Sequence, residues 1–307
     1  MLILLTGGSG MVGRNLLEHP SSQSHELIAP TSTELDLCDL QATKDYLNKL
    51  RPDFVVHAAG KVGGIQANIC EPVEFLTKNL SIGTNIVIAS RACGIKRLIN
   101  LGSSCMYPRN HDEPLTEDLI LHGELEPTNE GYALAKIITM KLAQYVAYED
   151  SSISYKTIIP CNLYGRFDKF DLKHSHLIPA AIHKVHQAMN CGNENVEIWG
   201  NGKARREFMY AGDLVDGLWH AIDRFEEIPS VMNIGLGYDF SIDEYYDMVA
   251  EVLGYSGTFL HNLNKPVGMS RKLLSIDRQC AWGWEASNTL RQGIKKTYDY
   301  YLKEMHS

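Results

Sequence analysis

The hydrophobic residues of this chain come in short runs, and segments of helical periodicity lie between them. Residues 2–6, 27–29, 54–59, 97–101 and 156–159 read as strands. In the run Phe54-Val55-Val56-His57-Ala58-Ala59 apolar residues do not alternate with polar ones, the signature of a strand covered on both faces. Residues 11–18 predict a short helix. Residues 39–50 predict another, with Leu40, Tyr46, Leu47 and Leu50 near one face, and residues 74–93 a long one. Strands alternating with helices in this way predict an α/β fold, a doubly wound parallel sheet with helices on both sides.

The second half is less regular. Residues 165–176 are polar and aromatic and read as a loop, residues 177–189 as a helix. A turn-rich break over 190–195 precedes a strand at 196–199 and a tight turn at 200–202. Residues 231–234 read as a further sheet strand, and the segment from 241 onward mixes helices with one strand at 258–260. There is no internal repeat, low-complexity tract or obvious linker. The expected layout is a nucleotide-binding domain built from residues 1–163 and 207–236, with a smaller, discontinuous lobe from residues 164–206 and 237–307.

Composition narrows the function. The 307 residues suffice for a large core, and 44% hydrophobic with 21% charged residues is an ordinary globular balance. A net charge of −8 argues against a nucleic-acid groove, which needs a basic stripe. The apolar start, Met1-Leu2-Ile3-Leu4-Leu5, runs straight into a glycine turn and reads as a strand rather than a leader; no apolar run reaches membrane-spanning length. The seven cysteines are scattered and include no Cys-x-x-Cys pair, which suits reduced thiols in the cytoplasm and offers no metal site.

Two stretches carry chemistry. Gly7-Gly8-Ser9-Gly10-Met11-Val12-Gly13 follows the first strand and opens the first helix. Gly7 permits the tight turn, Gly10 lets the backbone approach a pyrophosphate, and Gly13 lets helix and strand pack closely. The helix N-terminus then faces the anion. The second stretch is Tyr132-Ala133-Leu134-Ala135-Lys136, preceded by turn and cap residues Pro127-Thr128-Asn129-Glu130. Four residues apart on a helix, Tyr132 and Lys136 share a face. A nearby ammonium favours the phenolate, so Tyr132 is expected to exchange a proton near neutral pH. Upstream, a strand ends in Gly102-Ser103-Ser104-Cys105.

The glycine spacing, Tyr-x-x-x-Lys and a serine after a strand together resemble the extended short-chain dehydrogenase/reductase superfamily, which implies a Rossmann-like sheet and a dinucleotide cofactor. An acid after the second strand would select NAD. Here Pro30-Thr31-Ser32-Thr33 comes first and Glu34 only then, which favours NADP(H), bound through hydroxyls with help from Arg14. Asp36 and Leu37 resemble the pair that contacts adenine, although Asp36 also suits a helix cap.

Longer strings narrow the resemblance: Ala59-Gly60-Lys61-Val62-Gly63-Gly64-Ile65, Leu101-Gly102-Ser103-Ser104-Cys105-Met106-Tyr107-Pro108, Glu126-Pro127-Thr128-Asn129-Glu130-Gly131-Tyr132-Ala133, Asn162-Leu163-Tyr164-Gly165, His176-Leu177-Ile178-Pro179, and Trp199-Gly200-Asn201-Gly202 leading to Arg205-Arg206-Glu207-Phe208. Across nearly the whole chain they resemble the GDP-L-fucose synthase family, whose members invert C3 and C5 of a 4-keto GDP-sugar and reduce C4. The resemblance implies that Ser103 and Tyr132 serve the C4 oxygen. Lys136 tunes Tyr132 and holds the cofactor ribose, while Cys105 and His176 act as base and acid at carbon. It further implies that Leu177, Ile198, Trp199, Arg206 and Lys272 contact GDP, that Asn162 and Lys61 line the sugar and cofactor region, and that the protein is a homodimer pairing through the long helix of residues 74–93 and the Tyr132 helix. On residue type alone, Cys105 equally suits a small buried hydrophobe, His176 a loop histidine, Ser103 a strand end and Trp199 a core tryptophan.

Two segments depart from the pattern, Gly165-Arg166-Phe167-Asp168-Lys169-Phe170 and Lys265-Pro266-Val267-Gly268-Met269. Both fall in the expected substrate lobe and leave the sugar open: a 3-deoxy substrate, as in GDP-colitose synthesis, needs only C5 inversion and the same reduction. A dehydratase of this fold would carry an acid beside the strand-end serine, where Ser104 and Cys105 stand. A non-catalytic dinucleotide sensor could dispense with Tyr132 and Lys136.

Overall fold

The computed structural model describes residues 1–171, 175–265 and 268–305; residues 172–174 of the expected loop and Pro266 and Val267 lie outside them. Thirteen strands are described, in chain order β1 Leu2–Thr6, β2 Glu26–Ile28, β3 Phe54–His57, β4 Arg97–Leu101, β5 Ser154–Pro160, β6 Asn162–Tyr164, β7 Asn195–Trp199, β8 Arg205–Arg206, β9 Phe208–Tyr210, β10 Val231–Ile234, β11 Phe240–Ser241, β12 Thr258–Asn262 and β13 Arg271–Lys272.

Six of them form one parallel sheet in the order β10-β5-β4-β3-β1-β2. The order reverses at β1, which pairs with β2 on one side and β3 on the other. At such a reversal the loops leaving the strand ends diverge and open a crevice for a ligand. All four residues of β3 are buried, as the unbroken apolar run predicts, but the strand stops at His57. Ala58 and Ala59 leave the sheet to run beneath Gly7, where a side chain's Cβ would lie 2.7 Å from their backbone.

The helices follow the sequence pattern closely. The helix Met11–Glu18 starts at the glycine loop, Leu40–Leu50 is capped by the Asp39 carboxylate, and the long helix runs Pro72–Ala92. A short helix, Ile65–Cys70, occupies a stretch with no helical periodicity of its own. The segment before Tyr132 is a 3-10 turn, Pro127–Asn129, which leads into the helix Glu130–Glu149. The helix Ala211–Asp223, which the pattern did not reveal, returns the chain to β10.

The remaining strands form small sheets: β11-β8-β13, β12-β7 and β6-β9. A second apolar cluster under them joins Tyr164, Ile178, Ile182, Val185, Ile198, Phe208, Tyr245 and Tyr301. Trp282 and Trp284, far along the chain, pack instead with the core of the large sheet. Buried Glu207 ties these parts together: its carboxylate accepts from the backbone N–H groups of Leu236, Gly237 and Leu274.

Candidate active site

A cleft of about 1270 Å³ runs from the glycine loop, across the C-terminal ends of the sheet strands, to β7, β8 and β13. Among the residues the sequence singles out, it is lined by Gly7, Ser9, Gly10, Met11, Val12, Gly13, Asp36, Leu37, Lys61, Ser103, Cys105, Tyr132, Lys136, Asn162, His176, Leu177, Trp199, Arg206 and Lys272. Two are placed elsewhere. Gly8 packs on Ala29. Ile198 is buried in the second cluster, because β7 alternates and sends Val196 and Ile198 inward and Glu197 and Trp199 outward.

At the dinucleotide end, Gly7 has φ +78°, and a Cβ on Gly13 would collide with the Gly7 carbonyl. The Gly10 N–H bonds that carbonyl at 3.0 Å, closing the turn that starts the helix. These residues leave an open backbone cradle that fits a pyrophosphate. Asp36 does not cap the next helix, a role taken by Asp39; it accepts from the Cys38 N–H at 2.9 Å and stays exposed beside the cleft. In the turn after β2, Ser32 lines the cleft, while the Glu34 carboxylate is engaged by the Thr31 N–H and hydroxyl at 2.7 and 2.8 Å. Those bonds keep its pKa below the ordinary carboxylate value. Arg14, expected to help hold the cofactor, stacks 3.8 Å over the Phe167 ring instead.

The central group is set by β4 and the helix Glu130–Glu149. Ser103 leaves β4 extended and accepts from the Cys105 N–H at 3.3 Å. Lys136 is 7% exposed, and its Nζ donates to the Leu101 carbonyl at 2.8 Å. Burial brings its pKa down from 10.5 to about 8. The Lys136 ammonium stands 5.9 Å from the centre of the Tyr132 ring. Burial, and then the Cys105 sulfur, push the Tyr132 hydroxyl well above its ordinary pKa; the hydrogen bond with Ser103 offsets only part of this. The expected phenolate near neutral pH is therefore corrected: Tyr132 rests as a protonated acid, because desolvation outweighs the neighbouring ammonium.

Beneath this group lies a polar row that the sequence reading missed. Thr6, His57, Asn100 and Thr157 stand side by side in register on β1, β3, β4 and β5, all fully buried. Thr6 and His57 pair at 2.7 Å, and Asn100 donates to Thr157 at 3.2 Å. Burial, with Lys136 nearby, lowers the His57 pKa to about 3, so this imidazole stays neutral. His57 was visible in the sequence as the one polar residue in an apolar strand.

Cys105 sits on a turn of 3-10 helix, and its sulfur accepts from Asn129 Nδ2 at 3.2 Å and Lys272 Nζ at 3.7 Å. His176 is the N-cap residue of the helix Leu177–Cys191, and its ring opens on the cleft. The enclosing walls, and then Lys169, lower its pKa. Asn162 donates to the Glu207 carbonyl at 2.9 Å, which fixes it at the floor. Lys61 is held in an ion pair with Glu71, with Glu74 at 3.9 Å.

At the far end, the Trp199 indole is 45% exposed and donates to Glu197 Oε1 at 3.0 Å. Lys184 and Lys265 Nζ lie 5.6 and 5.1 Å from its ring centre. Arg206 and Lys272 are Cα partners on β8 and β13. Burial lowers the Arg206 pKa, yet it keeps its charge, as guanidinium groups do in proteins. An exposed indole with Lys184, Lys265, Arg206 and Lys272 around it suits a base with a diphosphate. Lys184 and Lys265 carry no motif in the sequence and enter the site through folding alone.

Residues 3–235, which hold the large sheet, the glycine cradle and the Ser103–Tyr132–Lys136 group, match the profile of the NAD dependent epimerase/dehydratase family, and the chain belongs to that family. Within it, the chain is similar to a GDP-L-colitose synthase of Yersinia pseudotuberculosis, 52% identical over all of both chains. It is also similar to a GDP-L-fucose synthase of Azorhizobium caulinodans, 50% identical over 98% of this chain and 96% of the relative. A solved GDP-L-fucose synthetase of Naegleria fowleri bound to NADP superimposes with a TM-score of 0.89 at 26% identity, covering 100% of this chain and 94% of the other.

Proposed function

We propose that the chain is an NADPH-dependent epimerase-reductase of a GDP-4-keto-6-deoxy sugar, converting GDP-4-keto-6-deoxy-D-mannose to GDP-L-fucose. The observation that carries this reading is a single cleft with a dinucleotide cradle at one end, an indole with cations at the other, and an acid, a thiol and an imidazole on its walls. The relatives named as GDP-fucose and GDP-colitose synthases support it.

The chemistry follows from the ketone. A C4 carbonyl acidifies the protons at C3 and C5, and the enolate left by their removal needs hydrogen-bond donors at oxygen. Ser103 and protonated Tyr132 supply them. Cys105 removes a proton from carbon, and His176, whose lowered pKa makes it a ready donor once charged, returns one on the other face. NADPH, when bound, supplies the hydride that reaches C4. Tyr132 gives its proton to the C4 oxygen, and Lys136 favours the phenolate as it forms. Gly7, Gly10 and Gly13 hold the cofactor pyrophosphate, Asp36 and Leu37 the adenine, and Lys136 with Asn162 the nicotinamide half. Trp199 and Arg206 hold the nucleotide, with Leu177 beside them, and Lys61 borders the sugar.

A second reading rests on the 52% identity to a colitose synthase: the same machinery acting on the 3-deoxy sugar and inverting C5 alone. We also read the chain as a homodimer through the helices Pro72–Ala92 and Glu130–Glu149, which expose Val73, Ile88, Ile138, Tyr145 and Tyr148. The lobe boundaries at residues 163, 206 and 236 belong to this proposal too. Among the described residues no helix is long and apolar enough to cross a membrane.

Incubating the protein with NADPH and each of the two GDP-4-keto sugars, and identifying the products by NMR, tests the function. The reading expects GDP-L-fucose from the 6-deoxy substrate at a higher kcat/KM than the 3-deoxy one, and NADPH favoured over NADH. The reverse sugar order selects the colitose reading, and no turnover of either sugar overturns both.

A further inference from the structure

The basic residues of the small sheet divide between its two faces. Arg205 and Arg271 clamp buried Asp239, each at 2.6 Å, and neither lines the cleft. Their neighbours Arg206 and Lys272, one position on in β8 and β13, face the cleft. Resemblance alone gives both of these to the diphosphate. The structure places the Lys272 ammonium 3.7 Å from the Cys105 sulfur, and on the same sulfur Asn129 Nδ2 converges at 3.2 Å. A sulfur that accepts from two N–H donors, one of them a cation, is solvated as an anion would be.

We propose that Lys272 and Asn129 are positioning residues for Cys105, holding its sulfur as the thiolate that takes the proton from the sugar carbon. The proposal rests on the epimerase reading above and adds a role that the family resemblance does not give. In the step itself the S–H bond forms as the C–H bond breaks, and the electron pair moves onto the C4 oxygen, where Ser103 and Tyr132 donate. The two donors then face a neutral thiol, and their hold on the sulfur relaxes.

The arrangement also explains the order of events. A charge on the Cys105 sulfur opposes ionisation of Tyr132. While the sulfur is anionic, Tyr132 keeps its proton and serves as a donor to the enolate. Tyr132 releases that proton in the reduction more readily once the sulfur is neutral. Asn129 is well placed to hold the geometry: it sits in the 3-10 turn immediately before the Tyr132 helix, so one turn sets both the acid and the base. The diphosphate retains Arg206, Lys184 and Lys265 on the cleft wall.

The test reads the thiol without substrate, so its failure is separate from failure of the epimerase reading. Alkylation of Cys105 by iodoacetamide is followed against pH by peptide mass spectrometry, which separates it from the exposed thiols Cys38, Cys70, Cys191 and Cys280. Lys272→Met is expected to slow Cys105 alkylation several-fold at neutral pH, and Asn129→Ala by somewhat less. Lys272→Arg, which keeps the cation, should restore most of the rate. With the GDP-sugar, Lys272→Met should lower kcat for deuterium exchange at carbon more than it raises KM. Unchanged alkylation profiles in Lys272→Met and Asn129→Ala, with KM alone raised by loss of the lysine, would return Lys272 to the diphosphate and overturn the proposal. Should Lys272→Met melt below the assay temperature, Lys272→Gln and Asn129→Ser decide by the same profile.

Discussion

The two ends of the cleft are built differently. At the dinucleotide end the binding surface is backbone: a turn with Gly7 at positive φ, a helix N-terminus at Gly10 and a parallel sheet buried on both faces. At the nucleotide-sugar end it is long side chains: Trp199, Arg206 and Lys272 on strands of two to five residues, and Lys184 on the helix Leu177–Cys191. A backbone cradle tolerates little change and recognises what all dinucleotides share. A wall of side chains can be altered one residue at a time, and so can distinguish one sugar nucleotide from another. The tyrosine helix spans the join, with Tyr132 and Lys136 near the cofactor and Asn129 turned toward Lys272 through Cys105.

Substitutions at the two ends should therefore fail differently. Tyr132→Phe removes the acid and leaves the helix intact; we expect kcat for reduction to fall about 10³-fold with NADPH binding retained, read by stopped-flow absorbance and by titration of cofactor fluorescence. Near-normal turnover would remove Tyr132 from the mechanism. Trp199→Ala takes away only the apolar wall for the base. It should raise KM for the GDP-sugar about tenfold, equivalent to about 1.4 kcal/mol, and leave KM for NADPH unchanged. An equal effect on both KM values would mean that the two ends are not independent.

The smallest effect is one of pH. Lys136 titrates at about 8 against an ordinary 10.5, because its burial penalises the charge. Below pH 8 it is charged in the folded and the unfolded chain alike. Between 8 and 10.5 the unfolded chain alone keeps the proton, so this group makes stability rise with pH across that window. Activity goes the other way: the charge that favours the Tyr132 phenolate disappears, and kcat for reduction should decline several-fold as pH rises through 8. A pH–rate profile in which wild type and Lys136→Met fall in parallel above pH 8 would assign the decline to another group.

The same contrast governs what could be read from the chain. The dinucleotide end was legible because its signals are local: an apolar run, then spaced glycines, then a helix. Tyr132 and Lys136 were legible because helical spacing joins them. The other end depends on contacts over long separations. Lys184 and Lys265 meet only around Trp199, and Asn129, Cys105 and Lys272 come from three separate segments. Strands as short as Arg205–Arg206 and Arg271–Lys272 have no periodicity to detect. Ile198 shows the limit of resemblance: a position beside a matched string, turned into the core by the alternation of β7. The Tyr132 phenolate was misjudged because sequence spacing reports the lysine's proximity but not the burial that outweighs it.

The central claim is that one cleft divides its labour, with inversion at carbon resting on Cys105 and His176 and reduction resting on Tyr132 and the cofactor. The direct measurement is NMR in deuterated water on Cys105→Ser and His176→Gln with the GDP-4-keto-6-deoxy sugar and NADPH. The account predicts that both variants bind NADPH and lose solvent deuterium at the epimerised carbons, while any reduced product keeps the uninverted configuration. Exchange of those carbon protons at wild-type rates in both variants would contradict it.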